Sequence, residues 1–397
     1  MWSAEAVRRD KRYALVSAYN SPFDRLPNAF VCDGKTDEEQ LKYAFDQMKA
    51  VGGQIILTPG DYYLTADQWL MSYTTTDSGG VGMKCALRIT GAGRGATVIH
   101  NNLTGSQAAI EIKVIDDEFQ DFILENFTVQ GNASSGPGIY LNHDAGAGSI
   151  EQVHLTNILS TLNGGEGFKV RGQAALIYLI NCHGYDNDGD GFKAISRPLR
   201  TPRNIIIIGG RYGTNGSVGS VNDGINCGDG GFFQLYGVWA TNNTRFGIKA
   251  NQYMGIYGPV TEANTTAGIY VRDEIVLDYA GGLGNDTTPV LLAAVGDGYT
   301  NEDGLDNLAA RRYRIDHAQN TGTPDTARMD IAKKLHLQGN PLHGITRLVG
   351  NGTGSSGCVL QDLKNSTNTT VSGTIRTVEI DIGGTPYYVL VYPTSSA

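Results

Sequence analysis

The sequence is short of charge. Asp, Glu, Lys and Arg make up 18% of its 397 residues, where soluble domains carry roughly 25%. What charge there is leans acidic, 40 Asp and Glu against 31 Lys and Arg, for a net of −9. No Lys/Arg-rich run interrupts that balance, so neither a nucleic acid nor a membrane is an expected partner. No apolar run approaches the ~18 residues of a membrane span. Cysteine is sparse and scattered. Cys32, Cys85, Cys182, Cys227 and Cys358 form no CxxC pair, which leaves no zinc knuckle and no disulfide framework. The opening residues, MWSAEAVRRDKRYALVSAY, lack the apolar core of a secretory signal. GxSxG, P-loop and HExxH patterns are missing as well.

Glycine is in excess, 53 of 397 residues against roughly 7% in ordinary domains. There is no Gly-X-Y period, and a 40% hydrophobic fraction argues against disorder. So much glycine in a folded chain points to many tight turns and an all-β architecture.

One pattern recurs from about residue 119 to 273. Its first halves read FILENFTVQGN, VHLTNILSTLN, IYLINCHGYDN, IIIIGGRYGTN, FQLYGVWATNN and GIYGPVTEAN. They end on Asn132, Asn163, Asn187, Asn215, Asn243 and Asn264. The second halves each begin at a glycine, Gly138, Gly167, Gly191, Gly224, Gly247 and Gly268. Short strands at this spacing, joined by Gly/Asn corners, describe the coils of a β-solenoid. Asparagine suits such corners because it tolerates left-handed backbone and bonds locally.

Alternation assigns the faces. Ile139, Phe168, Phe192, Ile225, Ile248 and Ile269 should point inward, with Leu141, Val170, Ala194, Cys227, Ala250 and Val271 beside them. Tyr140, Lys169, Lys193, Asn226, Lys249 and Tyr270 should point outward, as should Arg171 and Arg272. The preceding strands bury Phe122/Leu124, Val153/Leu155, Ile177/Leu179, Ile205/Ile207 and Phe233/Leu235. Their outward positions are apolar too: Ile123, Tyr178, Ile180, Ile206, Ile208, Tyr236 and Tyr257. A solvent face should be polar, so this stripe is expected to be covered by another subunit or a terminal segment.

Candidate chemistry gathers at the corners and on the basic face. Glu166, Asp190 and Asp223 each precede a turn glycine in successive coils. Coils about 4.8 Å apart would bring such carboxylates near the separations that glycosidases use. Crowding would raise one pKa and make it a general acid; ordinary turn capping is the other role open to them. Asp188 and His183 sit close by. The run Tyr185–Asp190 offers hard oxygen ligands that could hold calcium, but without an EF-hand's closing Glu. No other cofactor is expected. His183, Arg211 and Trp239 hold equivalent positions in consecutive coils. Facing outward they would form an acid or base, a carboxylate clamp and a sugar-stacking platform; facing inward, Trp239 would be core. Tyr140, Lys169, Arg171, Lys193, Lys249, Tyr270 and Arg272 would line one basic sheet, suited to an anionic glycan.

Upstream stands NAFVCDGKTDEEQLKYAFDQMKAVGGQIILTPGDYYL, a helix with Thr36 as its expected N-cap, then strand–turn–strand. With ALRITGAGRGATVIHNN after it, this text resembles the N-terminal cap and first coils of the pectate-lyase superfamily, including phage tailspike-type depolymerases. The resemblance covers roughly residues 20 to 275. It implies a right-handed parallel β-helix with an N-terminal segment and capping helix (1–45), a solenoid (46–275) and a C-terminal cap or oligomerisation region (276–397). The acids clustered at the turns and the basic sheet favour a glycoside hydrolase acting on an acidic, uronate- or sialic-acid-containing glycan. A polysaccharide lyase, a uronate epimerase and a non-catalytic phage tail receptor-binding protein are its alternatives. The stretch GYDNDGDGFKAI resembles alginate C5-epimerase coils but lacks their Tyr-x-x-Asp-Pro-His motif. A homotrimer, virion-associated or extracellular without a classical signal, is the expected assembly.

Overall fold

Each coil of the chain lays down three short strands, and successive coils pair them in parallel. The coil starting at Ser149 shows the plan. Ser149–Thr156 lies in sheet A, Leu159–Thr161 in sheet B and Phe168–Arg171 in sheet C. Sheet A carries 12 strands, sheet B 9 and sheet C 10, and the chain visits them in the order A, B, C throughout the stack. The computed structural model describes residues 13–21, 29–49, 52–74, 83–115, 118–145, 148–198, 200–217, 220–228, 231–250 and 254–271. Beyond these it describes the short strands 275–278, 282–284, 290–292, 313–316, 329–331, 347–349, 359–361, 376–382 and 385–391. The architecture is a right-handed parallel β-helix, the hand that parallel crossovers take almost without exception.

The inward columns are those that alternation assigns. Phe168, Val170, Phe192, Ile225 and Cys227 are buried in the core, as are Phe122, Leu155, Ile177 and Ile207. Cys182 and Cys227 are free and buried. No coil could bury these side chains alone; stacking makes one continuous core. The outward stripe on sheet A is also where expected. Tyr178 stacks on His154 at 4.6 Å and Tyr236 on Tyr257 at 4.8 Å.

Three corners join the sheets, and they differ. In the six coils from Glu118–Glu125 to Met254–Tyr257 the link between A and B is two residues, as in Asn157–Ile158 between Thr156 and Leu159. The first of each pair is left-handed: Asn126, Asn157 and Asn181 with φ of 63°, 53° and 51°, then Gly209, Gly237 and Gly258. The B–C and C–A corners vary in length.

The recurring asparagines at the B–C corner do not serve as expected. Asn163, Asn187, Asn215, Asn243 and Asn264 lack positive φ; the residues before them, such as Leu162 and Asp186, take it. The asparagines are buried and form a ladder. Asn163 Nδ2 donates to Asn187 Oδ1 at 2.8 Å, Asn187 Nδ2 to Asn215 Oδ1 at 3.2 Å, and Asn215 Nδ2 to Asn243 Oδ1 at 3.0 Å. Asn243 Nδ2 closes the run on Asn264 Oδ1 at 2.8 Å. Asn132 stands outside it and donates instead to the Asn101 carbonyl. Nor are the turn glycines chosen for left-handed backbone. A Cβ on Gly191 would lie 2.6 Å from the Gly224 carbonyl of the next coil, so crowding between coils excludes any side chain.

At the N-terminal end, helix α1 (Glu38–Met48) packs Leu41, Ala44, Phe45 and Met48 into the core. Its N-cap is Asp37 rather than Thr36. The Asp37 carboxylate accepts from Gly34 N and Tyr63 N, tying the helix entry to sheet B. Contacts divide the chain into two units, Met1–Lys333 and Lys334–Ala397. The second contains two antiparallel hairpins, Arg347–Val349 with Val359–Gln361 and Arg376–Ile382 with Thr385–Val391.

Candidate functional site

The residues singled out by sequence fall into three groups: the face of sheet C, the B–C corner and the face of sheet B. On sheet C the parallel register aligns Glu111, Tyr140, Lys169, Lys193, Asn226, Lys249 and Tyr270 in one outward column. Asn142 and Arg171 pair in the adjoining column. Lys169 Nζ lies 5.3 Å from the Tyr140 ring centre. Arg171 Nη1 reaches the Tyr140 hydroxyl at 3.5 Å. Burial pushes that hydroxyl above the ordinary phenol range, against the pull of Arg171. Glu111 accepts from Gln68 and Asn142. Farther along, Tyr270 stacks on Phe246 at 4.6 Å. Arg272 lies outside the described residues.

Past sheet C, the segment 196–203 contributes more cations. Arg200 Nη1 reaches His143 Nε2 at 3.2 Å, across the C–A corner. Arg197 also bears on Tyr140. Neither arginine was singled out from sequence. Nothing in one sequence says that their loop folds back over earlier coils.

The corner carboxylates are not the free acidic column that the sequence suggested. Asp190 is 1% exposed and Asp223 fully buried. Asp190 Oδ1 accepts from Asp223 N at 2.6 Å, and its Oδ2 from Asn226 Nδ2 at 3.0 Å. Asp223 takes a two-point contact from Arg245 and a third bond from Phe246 N. Burial pushes the Asp223 carboxyl up, partly offset by Arg245. Glu166 sits between Lys169 Nζ at 3.1 Å and Lys193 Nζ at 3.2 Å, and Lys193 also pairs with Asp190 at 3.3 Å. Burial raises the Glu166 carboxyl, but the two lysines outweigh it and hold the pKa below the ordinary glutamate value. Carboxylates bound this fully buckle the corner; removing one partner would strand a buried charge. Turn capping is the role that the geometry gives them.

Asp188 is half-buried beside them, its backbone N–H bonded to the Asn163 carbonyl. The acids of 185–190 do not converge: Asp186 is exposed, while Asp190 is buried and already bonded. Among the described residues there is no group of three or more His, Cys, Asp and Glu that could hold a metal ion.

On sheet B, His183, Arg211 and Trp239 do face outward in consecutive coils. Arg211 pairs with Trp239 in register, and Trp239 is 42% exposed.

No known protein family and no curated protein matches the chain by sequence. Solved structures do resemble it. One is the ORF18 protein of Geobacillus virus E2, 13% identical, with a TM-score of 0.41 over 70% of this chain. The chain spans 59% of that protein. Pectate lyase Pel9A is 12% identical, with a TM-score of 0.41 over 75% of this chain and 83% of its own. The A-module of an Azotobacter vinelandii mannuronan C-5 epimerase is 15% identical, with a TM-score of 0.32 over 70% of this chain and 95% of its own. The parallel β-helix itself is shown by the three stacked parallel sheets. Among the described residues no helix is long and apolar enough to cross a membrane.

Proposed function

We propose that the protein is an enzyme acting on an acidic polysaccharide laid along the outer face of sheet C, and that it cleaves by β-elimination rather than hydrolysis. The reading rests on this face and not on the resemblance to solved structures, which is one of fold. The observation that carries it is the Tyr140 hydroxyl held beside the Arg171 guanidinium, flanked by Lys169 in a protein of net charge −9.

Arg171 can pair with a uronate carboxylate and drain charge from it, which makes the C5 proton more acidic. Tyr140, kept protonated by burial, hands its proton to the departing glycosidic oxygen. It recovers one from C5 as the C4–C5 double bond forms, so the side chain ends as it began. Hydrolysis would instead need two working carboxyl groups, and the corner acids that suggested it are buried and bonded. The apolar stripe of sheet A supports a covered face, as a homotrimer would have. A phage-borne or extracellular setting would suit such a substrate.

Incubation with polygalacturonate, alginate and sialylated glycans tests the proposal. Soluble products carrying the ultraviolet band of an unsaturated uronate are expected, with Tyr140→Phe at least ~100-fold slower. New reducing ends without that band would replace elimination by hydrolysis. Binding without any product would make this a receptor-binding protein.

A further inference from the structure

We propose that the outer face of sheet B carries a second binding site, for a sugar ring bearing a carboxylate, built from Arg211, Trp239 and Tyr185. It lies on a different sheet from Tyr140 and Arg171 and does not depend on chemistry there.

The parallel stack makes the site. Tyr185 stands opposite Gly213 and Thr241 in the next two coils, so no bulky side chain competes for the space beside its ring. The Arg211 guanidinium fills it, 4.8 Å from the Tyr185 ring centre and 5.1 Å from that of Trp239. A guanidinium stacked on two rings is fixed in plane and orientation before any ligand arrives, which limits the ordering cost of binding. The Trp239 indole remains largely open to solvent beside it.

The charge of this patch is uncompensated. Among the described residues no carboxylate pairs with Arg211 or Arg94, and the buried Arg211 Nε has no acceptor. His183 adds no negative charge; burial, Arg94 and Arg211 push its pKa down to about 4 and keep it neutral. Several cations elsewhere on the solenoid are matched: Arg245 by Asp223, Arg88 by Glu125, Lys193 by Glu166 and Asp190. An unmatched guanidinium beside an exposed indole calls for a ligand that is both flat-faced and anionic. A uronate unit supplies both, its C–H face on Trp239 and its carboxylate on Arg211. A single-stranded nucleic acid also combines rings with anions, but it needs a long basic track, which a chain of net −9 does not offer.

Trp239 is its own reporter. The chain has three tryptophans, and Trp69 is fully buried. In a Trp2→Phe background, titration of the full chain with a galacturonate or mannuronate tetramer should change tryptophan fluorescence saturably. A neutral tetraose should bind at least tenfold more weakly. Arg211→Gln should lose at least tenfold in affinity for the uronate, Arg94→Gln less, and Trp239→Ala should abolish the signal, with thermal unfolding confirming that each variant folds. Equal affinity for neutral and acidic sugars, an unchanged Arg211→Gln, or tighter binding of an oligodeoxythymidylate would each overturn the site. The readout is binding at Trp239 itself, so it stands whether or not sheet C cleaves anything.

Discussion

Two asparagine columns run along this β-helix, and they use the same residue for different reasons. At the B–C corner Asn163, Asn187, Asn215, Asn243 and Asn264 are buried, with ordinary φ, and bond amide to amide. At the A–B corner Asn126, Asn157 and Asn181 are left-handed. They too touch, Asn157 Nδ2 to Asn126 Oδ1 at 2.9 Å and Asn181 Nδ2 to Asn157 Oδ1 at 3.3 Å. The outer column then turns into Gly209, Gly237 and Gly258 without any change in backbone. Glycine can replace asparagine where only φ matters. It never does so in the inner column, where the side chain supplies the bond.

The largest effect that tests this contrast is expected from Asn215→Ala. It strips the acceptor from Asn187 N and Nδ2 and the donor from the Gly184 carbonyl. Buried groups left unpaired cost about 1–3 kcal/mol each, so a loss of about 4 kcal/mol should appear in denaturant unfolding. Asn215→Gly should do no better. Should glycine restore stability there, the inner ladder would be a matter of backbone after all.

Asn187→Asp should be nearly as harmful at neutral pH. The carboxylate cannot donate to Asn215 Oδ1, and burial raises its pKa. A raised native pKa means that stability returns as pH falls and the acid regains its proton. A melting temperature that rises on mild acidification, against the wild-type trend, is the signature.

In the outer column the ranking should invert. Asn157→Gly keeps the backbone and loses only partly exposed bonds, for a cost of about 0.5 kcal/mol. Asn157→Ala adds a left-handed alanine, about 1 kcal/mol more. At neutral pH the smallest effect belongs to His183, whose Nε2 leans on Asn181 Oδ1 at 3.3 Å. Its native pKa of about 4 lies below the ordinary imidazole value of 6.5. The unfolded chain therefore takes up the proton first, and stability falls as pH drops from 6.5 toward 4. His183→Gln should flatten that slope.

Much of this was legible in sequence. Alternation found the inward columns because a period of two has only one buried solution in a half-covered sheet. The turn glycines aligned because coils 21–33 residues apart must pass the same narrow point. Sheet B was not resolved as a separate sheet. Its strands have three residues, such as His183–Tyr185, too few for a period, and the bend before them is carried by one left-handed Asn or Gly. The corner acids were found, but not their partners. Arg245 lies two residues before Gly247, so coil alignment could have placed it beside Asp223. Arg94 left no signal, because it bears on His183 from several coils away.

The two-residue link that joins sheets A and B in the six coils from Glu118 to Tyr257 divides that stretch in evolutionary terms. A residue inserted there would push a left-handed position out of line with its neighbours in every adjoining coil. In those coils lengthening is confined to the other two corners, where loops differ as widely as Gly172–Gln173 and the run 214–224. Sheet C alone is bordered by adaptable loops on both sides. A lineage could therefore refashion what surrounds that face, coil by coil, while the opposite edge keeps the stack in register.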